Sequence, residues 1–208
     1  IQLKNILMAV IAAKKSNIDI KKIFKVIPKI QSVEGRFERI GKIKNKSKVI
    51  LDYAHTPDAL KTCLKNLKEQ FPGHKISLVF GCGGNRDHNK RAKMGKIADY
   101  FSDKIYLTDD NPRLEQSSQI RKDIKKGIKK QKISEFPNRA KAISKAITNL
   151  NTGEILLVAG KGHETIQEIG KKKIFFSDKK IILNAIKAKN LTLSNNLKAN
   201  IINELSGE

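Results

Sequence analysis

From residue 49 to residue 189, short apolar runs alternate with longer amphipathic stretches, and that rhythm leaves the chain few folds to choose from. Val49-Ile50-Leu51, Ile76 to Phe80, Ile105 to Leu107 and Ile155 to Val158 read as strands. Between and after them, Pro57 to Phe71, Lys90 to Phe101, Ser117 to Lys130, Asn138 to Leu150 and Asp178 to Lys189 carry apolar residues at helical spacing. Thr56 suits the N-cap of the first of these, and Pro57 its first helical position. Strands alternating with helices predict an α/β architecture, a doubly wound and mostly parallel sheet. Lys172 to Phe176 would add an edge strand. Upstream, residues 2–14 and 19–30 read as two helices, with Pro28 near the second end. Gly35-Arg36-Phe37 and a basic, hairpin-like stretch to Lys48 follow.

Several strands end in polar clusters: Asp52-Tyr53-Ala54-His55, Gly81 to Asp87, Asp109 to Arg113, and Gly160 to Glu164. Parallel strands deliver their carboxyl ends to one rim, so clusters far apart in sequence are expected to meet in one crevice. Thr108-Asp109-Asp110-Asn111-Pro112-Arg113 is the most informative of them. Pro112 fixes its own φ and restricts Asn111, so the loop is preset. Of 43 basic residues only seven are arginine, and a chain that defaults to lysine has kept one here. The planar guanidinium suits a carboxylate or a phosphate.

In Gly81 to Asp87 the glycines let the backbone turn sharply, so that Arg86 can reach inward. A plain strand-to-helix turn would look similar, and the spacing is not that of the dinucleotide fingerprint. Cys82 reads as a small packed residue, since no motif pairs it with a base. Glu164 suits an ammonium group, although a solvated acid is the simpler reading of it alone. His55 and His163 are candidate bases or hydrogen-bonded structural histidines. Taken together, Arg113 and Arg86 supply cationic forks, and Asp110 and Glu164 supply anions. A ligand with both carboxylate and ammonium groups would satisfy all of them.

Composition narrows the class further. The net charge of +23 invites a nucleic-acid reading, but the lysines are spread along the chain and no nucleic-acid motif is present. A polyanionic small substrate would also profit from such a field. No apolar run reaches membrane-spanning length, so no membrane insertion is expected. Cys63 and Cys82 form no disulfide framework or metal spacing, which fits a reducing, cytoplasmic setting. The chain opens at Ile1 inside a helical pattern with no leader, so a piece of a longer protein is expected.

The order Gly35-Arg36, Asp52-Tyr53-Ala54-His55-Thr56-Pro57, Gly81-Cys82-Gly83-Gly84-Asn85-Arg86-Asp87, Asp110-Asn111-Pro112-Arg113 and Gly160-Lys161-Gly162-His163-Glu164 closely resembles the Mur ligases over roughly residues 1 to 188. Within that family it looks like the member that adds meso-2,6-diaminopimelate to a UDP-N-acetylmuramoyl dipeptide. The resemblance implies that residues 1–34 are the last helices of a central ATPase domain. It makes 35–189 the Rossmann-like C-terminal domain and leaves 190–208 as a tail or the start of a further segment. It assigns Arg86, Asp110, Asn111, Pro112, Arg113, Gly160 and Glu164 to diaminopimelate. Asn5, Arg36, Asp52 and His55 are assigned to the nucleotide.

The implied cofactors are ATP and magnesium, held mainly by parts of the family's architecture that this chain lacks. It has no Gly-x-x-Gly-Lys-Thr/Ser phosphate loop and no counterpart of the family's carbamylated lysine. No catalytic or metal-ligating residue is therefore expected in it, and the piece alone should ligate nothing. Two rival readings stand beside this one: a sister ligase that adds L-lysine, and a non-catalytic basic module that binds nucleic acid. In the tail, Leu197, Ile201, Ile202 and Leu205 suggest a short helix from Asn195, with Ser194 as N-cap and Gly207 as stop. Such a helix would pack on this domain, fray, or open a second Mur ligase fused behind the first.

Overall fold

The computed structural model describes residues 2–30, 33–129 and 133–206. It divides into two units, residues 1–33 and 34–208. In the first, α1 (Gln2–Lys15) is followed by α2 (Ile20–Val26), whose N-cap Asp19 accepts from the Lys21 backbone N–H. The helix expected to reach residue 30 stops at Val26 and gives way to a 3-10 turn over Ile27–Lys29. Pro28 is the reason, because it has no N–H for an α-helical bond and its ring opposes the preceding turn.

The second unit is built on a six-stranded sheet. Its strands are β1 (Glu38–Arg39), β2 (Lys48–Asp52), β3 (Ile76–Phe80), β4 (Lys104–Thr108), β5 (Ile133–Phe136) and β6 (Ile155–Ala159), in the spatial order β1-β2-β6-β3-β4-β5. Only β1 runs antiparallel to its neighbour; the pairs β2–β6, β6–β3, β3–β4 and β4–β5 are parallel. Every residue of β3 and β6 is buried, as central parallel strands require.

Helices cover both faces. On one, Leu60, Leu64 and Leu67 of α3 (Pro57–Gln70) pack with Met94 and Ala98 of α4 (Asn89–Phe101) and Ile120 and Ile124 of α5 (Ser117–Lys125). They meet the strand residues Leu78, Phe80, Leu107 and Leu157. Each fully buried leucine here contributes roughly 1.5–3 kcal/mol relative to exposure. On the other face, Ala142, Ile143 and Ile147 of α6 (Arg139–Thr148) and Ile182 and Ile186 of α7 (Asp178–Ser206) lie on Leu51, Val79, Leu156 and Val158. The chain advances through α3, α4 and α5 on one face. It then returns through α6 to place β6 between β2 and β3, which is the doubly wound pattern the alternation predicts.

Four expectations need correction. The helix from Ser117 ends at Lys125, because Gly127 turns the chain so close to α4 that a Cβ there would collide with the Ala92 carbonyl oxygen. Lys130 lies outside the described residues. β5 was not expected at all: it is a short outer strand whose burial is only partial, so it lacks a strong apolar run. The strand at Lys172 does form, over Lys172–Phe175, but as β8 of a separate hairpin with β7 (Ile166–Ile169), not as an edge of the main sheet. Finally, α7 continues without a break from Asp178 to Ser206, so Ser194 caps nothing. Its hydroxyl donates back to the Asn190 carbonyl within the helix. Gly207 lies outside the described residues. Among the described residues, no helix is long and apolar enough to cross a membrane.

Candidate functional site

The loops after β2, β3, β4 and β6 do meet. They line a crevice of about 520 Å³, to which Tyr53 and His55, Gly81, Gly83 and Arg86, Asp110, Asn111 and Arg113, and Gly160 and Glu164 contribute. α4 adds Lys90 and Lys93 along one wall. Of the residues expected to meet one ligand, only Pro112 is missing from the lining. Its role is backbone packing: a Cβ at Gly84 would collide with the Pro112 carbonyl oxygen, and Gly84 N–H donates to the Asn111 carbonyl at 2.9 Å. The glycine-rich loop thus lies flat against the Asp-Asn-Pro-Arg loop, and only glycine permits that approach.

Arg113 is clamped. Its φ is +51°, a left-handed conformation unusual for a residue with a side chain. The β7–β8 hairpin holds it there: Arg113 N–H donates to the Glu168 carbonyl at 3.0 Å, and Gly170 N–H donates to the Arg113 carbonyl at 2.7 Å. The side chain is aimed by Nε–Glu168 Oε2 at 2.7 Å and Nη1–Gly84 carbonyl at 2.9 Å. No partner is found for Nη2 among the described residues.

Below the crevice lies a group that motif reading missed. Arg139, 1% exposed, donates from Nε and Nη2 to the two carboxylate oxygens of buried Asp178 at 2.9 and 2.7 Å, and from Nη2 to the Ala159 carbonyl at 2.9 Å. Its Nη1 makes no hydrogen bond and faces Asp110 Oδ2 at 4.0 Å. Gly160, at φ +116°, leaves room for that carboxylate: a Cβ would stand 2.7 Å from Asp110 Oδ2. The Asp110 backbone carbonyl accepts from Gln167 Nε2 at 2.6 Å. Neither Arg139 nor Asp178 lies in a strand-end cluster, so the rarity of arginine was the one available signal.

The residues expected at the nucleotide belong to both units. Asn5 belongs to α1 of the first unit. Arg36, Asp52 and His55 gather in the second unit around Tyr53, which the sequence did not single out. The Arg36 guanidinium lies 4.4 Å from the Tyr53 ring centre, His55 at 4.6 Å and His163 at 5.4 Å. Asp52 accepts from Phe37 N–H at 2.7 Å and Ala54 N–H at 2.8 Å. Burial raises the pKa of its carboxyl, against the pull of those two N–H groups and of Arg36. Asp52 therefore orders the turn that presents Tyr53. Among the described residues, no group of three or more His, Cys, Asp or Glu is placed to hold a metal ion.

Cys82 lines the crevice, its Sγ donates to Met94 Sδ at 3.6 Å, and burial pushes its thiol up to about 12. Burial raises Cys63 likewise. A neutral thiol is a poor nucleophile. Both are expected to resist a disulfide reagent such as Ellman's in the folded protein and to react at once in denaturant. Rapid labelling of Cys82 without denaturant would contradict this environment.

Comparison with known proteins agrees with the geometry. The sequence model of the family "Mur ligase, glutamate ligase domain" matches residues 35–162. A UDP-N-acetylmuramoyl-L-alanyl-D-glutamate–2,6-diaminopimelate ligase from Rickettsia felis is 43% identical over 182 residues, covering 87% of this chain and 34% of the relative. One of the same name from Buchnera aphidicola subsp. Baizongia pistaciae is 47% identical over 187 residues, covering 89% of this chain and 37% of the relative. A solved structure of a ligase of that name superposes with a TM-score of 0.71 at 36% identity, over 90% of this chain and 38% of the other. The UDP-N-acetylmuramate-alanine ligase of Thermotoga maritima, 17% identical with a TM-score of 0.57, shares the fold. The chain spans about a third of the length of the relatives it matches.

Proposed function

Because the chain belongs to the Mur ligase family, we propose that its crevice is the amino-acid acceptor site of an ATP-dependent ligase that joins meso-2,6-diaminopimelate to UDP-N-acetylmuramoyl-L-alanyl-D-glutamate. One observation carries this reading: cationic groups (Arg86, Lys90, Lys93 and Arg113) and carboxylates (Asp87, Asp110 and Glu164) line the same cavity. Diaminopimelate bears two carboxylates and two ammonium groups, and a lining of both signs suits it. L-Lysine lacks the second carboxylate and would bring the arginines one anionic group fewer.

In this reading Arg113 receives a carboxylate through Nη2, while Arg86 provides a second cation in the same lining. Asp110 and Glu164 receive ammonium groups, and Arg139 behind Asp110 holds its carboxylate in place. The chain's contribution to rate is positioning: it holds the incoming amino acid by its charged groups beside the carboxylate to be joined, and the attacking amine reacts only after giving up a proton. ATP, when bound, supplies activation of the accepting carboxylate as an acyl phosphate. Arg36 and the ring of Tyr53 are the residues here suited to meet a nucleotide. Among the described residues, no group of three or more His, Cys, Asp or Glu could hold magnesium, so no step is assigned to that ion here.

The test is a ligation assay on the complete protein that carries this chain, with ATP, the UDP-linked dipeptide and either amino acid. The expected result is efficient turnover with diaminopimelate and little with L-lysine. Equal or better use of L-lysine sinks the assignment of the second carboxylate. DNA binding that weakens steeply with salt, without any ligation, would favour the basic binding module instead.

A further inference from the structure

Lys161 is fully buried at the bottom of the loop after β6, and nothing in the reading above uses it. A buried ammonium is costly unless it is paired, so its partners carry information. Its Nζ donates to Asn111 Oδ1 at 2.8 Å and to Glu164 Oε2 at 3.0 Å, and both partners line the crevice. We propose that Lys161 is a positioning residue that sets the geometry of two acceptor-site groups from below. This rests on the acceptor-site reading.

Lys161 fixes which way the Asn111 amide faces. Its Oδ1 accepts twice, from Lys161 Nζ and from the Glu168 backbone N–H at 3.1 Å. With the oxygen committed inward, Nδ2 must face outward as a donor, where it also meets Glu164 Oε2 at 3.2 Å. A donor facing the crevice suits a ligand carboxylate; a flipped amide would present an oxygen and repel it. The same lysine holds Glu164 by Oε2 and leaves Oε1, which meets no donor among the described residues, for an incoming ammonium. Lysine suits this place because its compact ammonium reaches two acceptors on different loops. One buried side chain therefore prepares a donor and an acceptor together.

The experiment compares wild type, Lys161→Met and Lys161→Gln in the complete protein, measuring kcat and the separate KM values for diaminopimelate and ATP. Loss of preorganisation predicts a KM for diaminopimelate raised about tenfold to a hundredfold in Lys161→Met, with the KM for ATP within about twofold. Lys161→Gln, which keeps a donor but no charge, should fall between. An unchanged KM for diaminopimelate overturns the inference, as does a uniform loss that follows the amount of folded protein. Where Lys161→Met does not fold, Lys161→Gln decides by the same split. If neither variant folds, Lys161 serves folding alone and the inference fails. Wild-type protein that ligates neither diaminopimelate nor L-lysine marks the separate failure of the acceptor-site reading.

Discussion

Arg113→Ala is expected to cost roughly 2–5 kcal/mol in kcat/KM for diaminopimelate if the bound ligand desolvates the guanidinium, which is a quarter exposed in the empty crevice. The structure gives two reasons for an effect that large. The guanidinium is aimed before any ligand arrives, by Glu168 at 2.7 Å and the Gly84 carbonyl at 2.9 Å, so little ordering remains to oppose binding. The same side chain also ties the glycine-rich loop to the β7–β8 hairpin, so its loss loosens the wall that carries Arg86. Arg113→Lys keeps the charge but not the planar fork that spans Glu168, Gly84 and the ligand, and should rescue only in part. Steady-state kinetics in the complete protein, with a melting curve for each variant, separate lost binding from lost folding. A variant with unchanged KM and kcat for diaminopimelate would remove Arg113 from the acceptor site.

Asp178→Ala is expected to destabilise the domain by about 3–5 kcal/mol, because it leaves Arg139 as a buried cation without its bidentate partner. Much of that figure is the penalty on the orphaned charge and not the net worth of the pair. The double change Arg139→Met with Asp178→Leu removes both charges and should cost far less than either single change. It should still weaken diaminopimelate binding, since nothing would then stand behind Asp110. Urea denaturation of the variants, followed by circular dichroism, measures the first claim. A loss below about 1 kcal/mol for Asp178→Ala would mean that water reaches Arg139 and that the crevice floor is not dry.

The comparison of sequence with structure is instructive at particular residues. Strands β2, β3, β4 and β6 were legible because central parallel strands need apolar residues at consecutive positions, and such runs stand out against a lysine-rich background. β5 and β7 were not legible, because each is only partly buried and its short stretch carries polar residues such as Glu135 and Gln167. The strand-end clusters could be expected to meet because a parallel sheet sends every carboxyl end to the same rim. Pro112 is the one residue of the expected ligand set that does not line the crevice; its carbonyl packs against Gly84. The helix from Asp178 was ended early, where the family resemblance stops. Helix propensity has no such boundary, and nothing between Lys189 and Ser194 breaks an α-helix.

What the sequence determined by itself was the layered α/β plan, the rim on which polar side chains collect, and the mixed charge of that rim. Each depends on local pattern, namely strand runs, helical periodicity, turn residues and the choice of arginine over lysine. Only the tertiary structure decided how the groups at the rim are supported. Arg139 under Asp110, Glu168 beside Arg113, and Lys161 between Asn111 and Glu164 are pairings across 29, 55, 50 and 3 residues of chain. No spacing rule encodes most of them. They exist because burial withdraws water from charged groups, and a charge without water must find its partner wherever the fold has placed one.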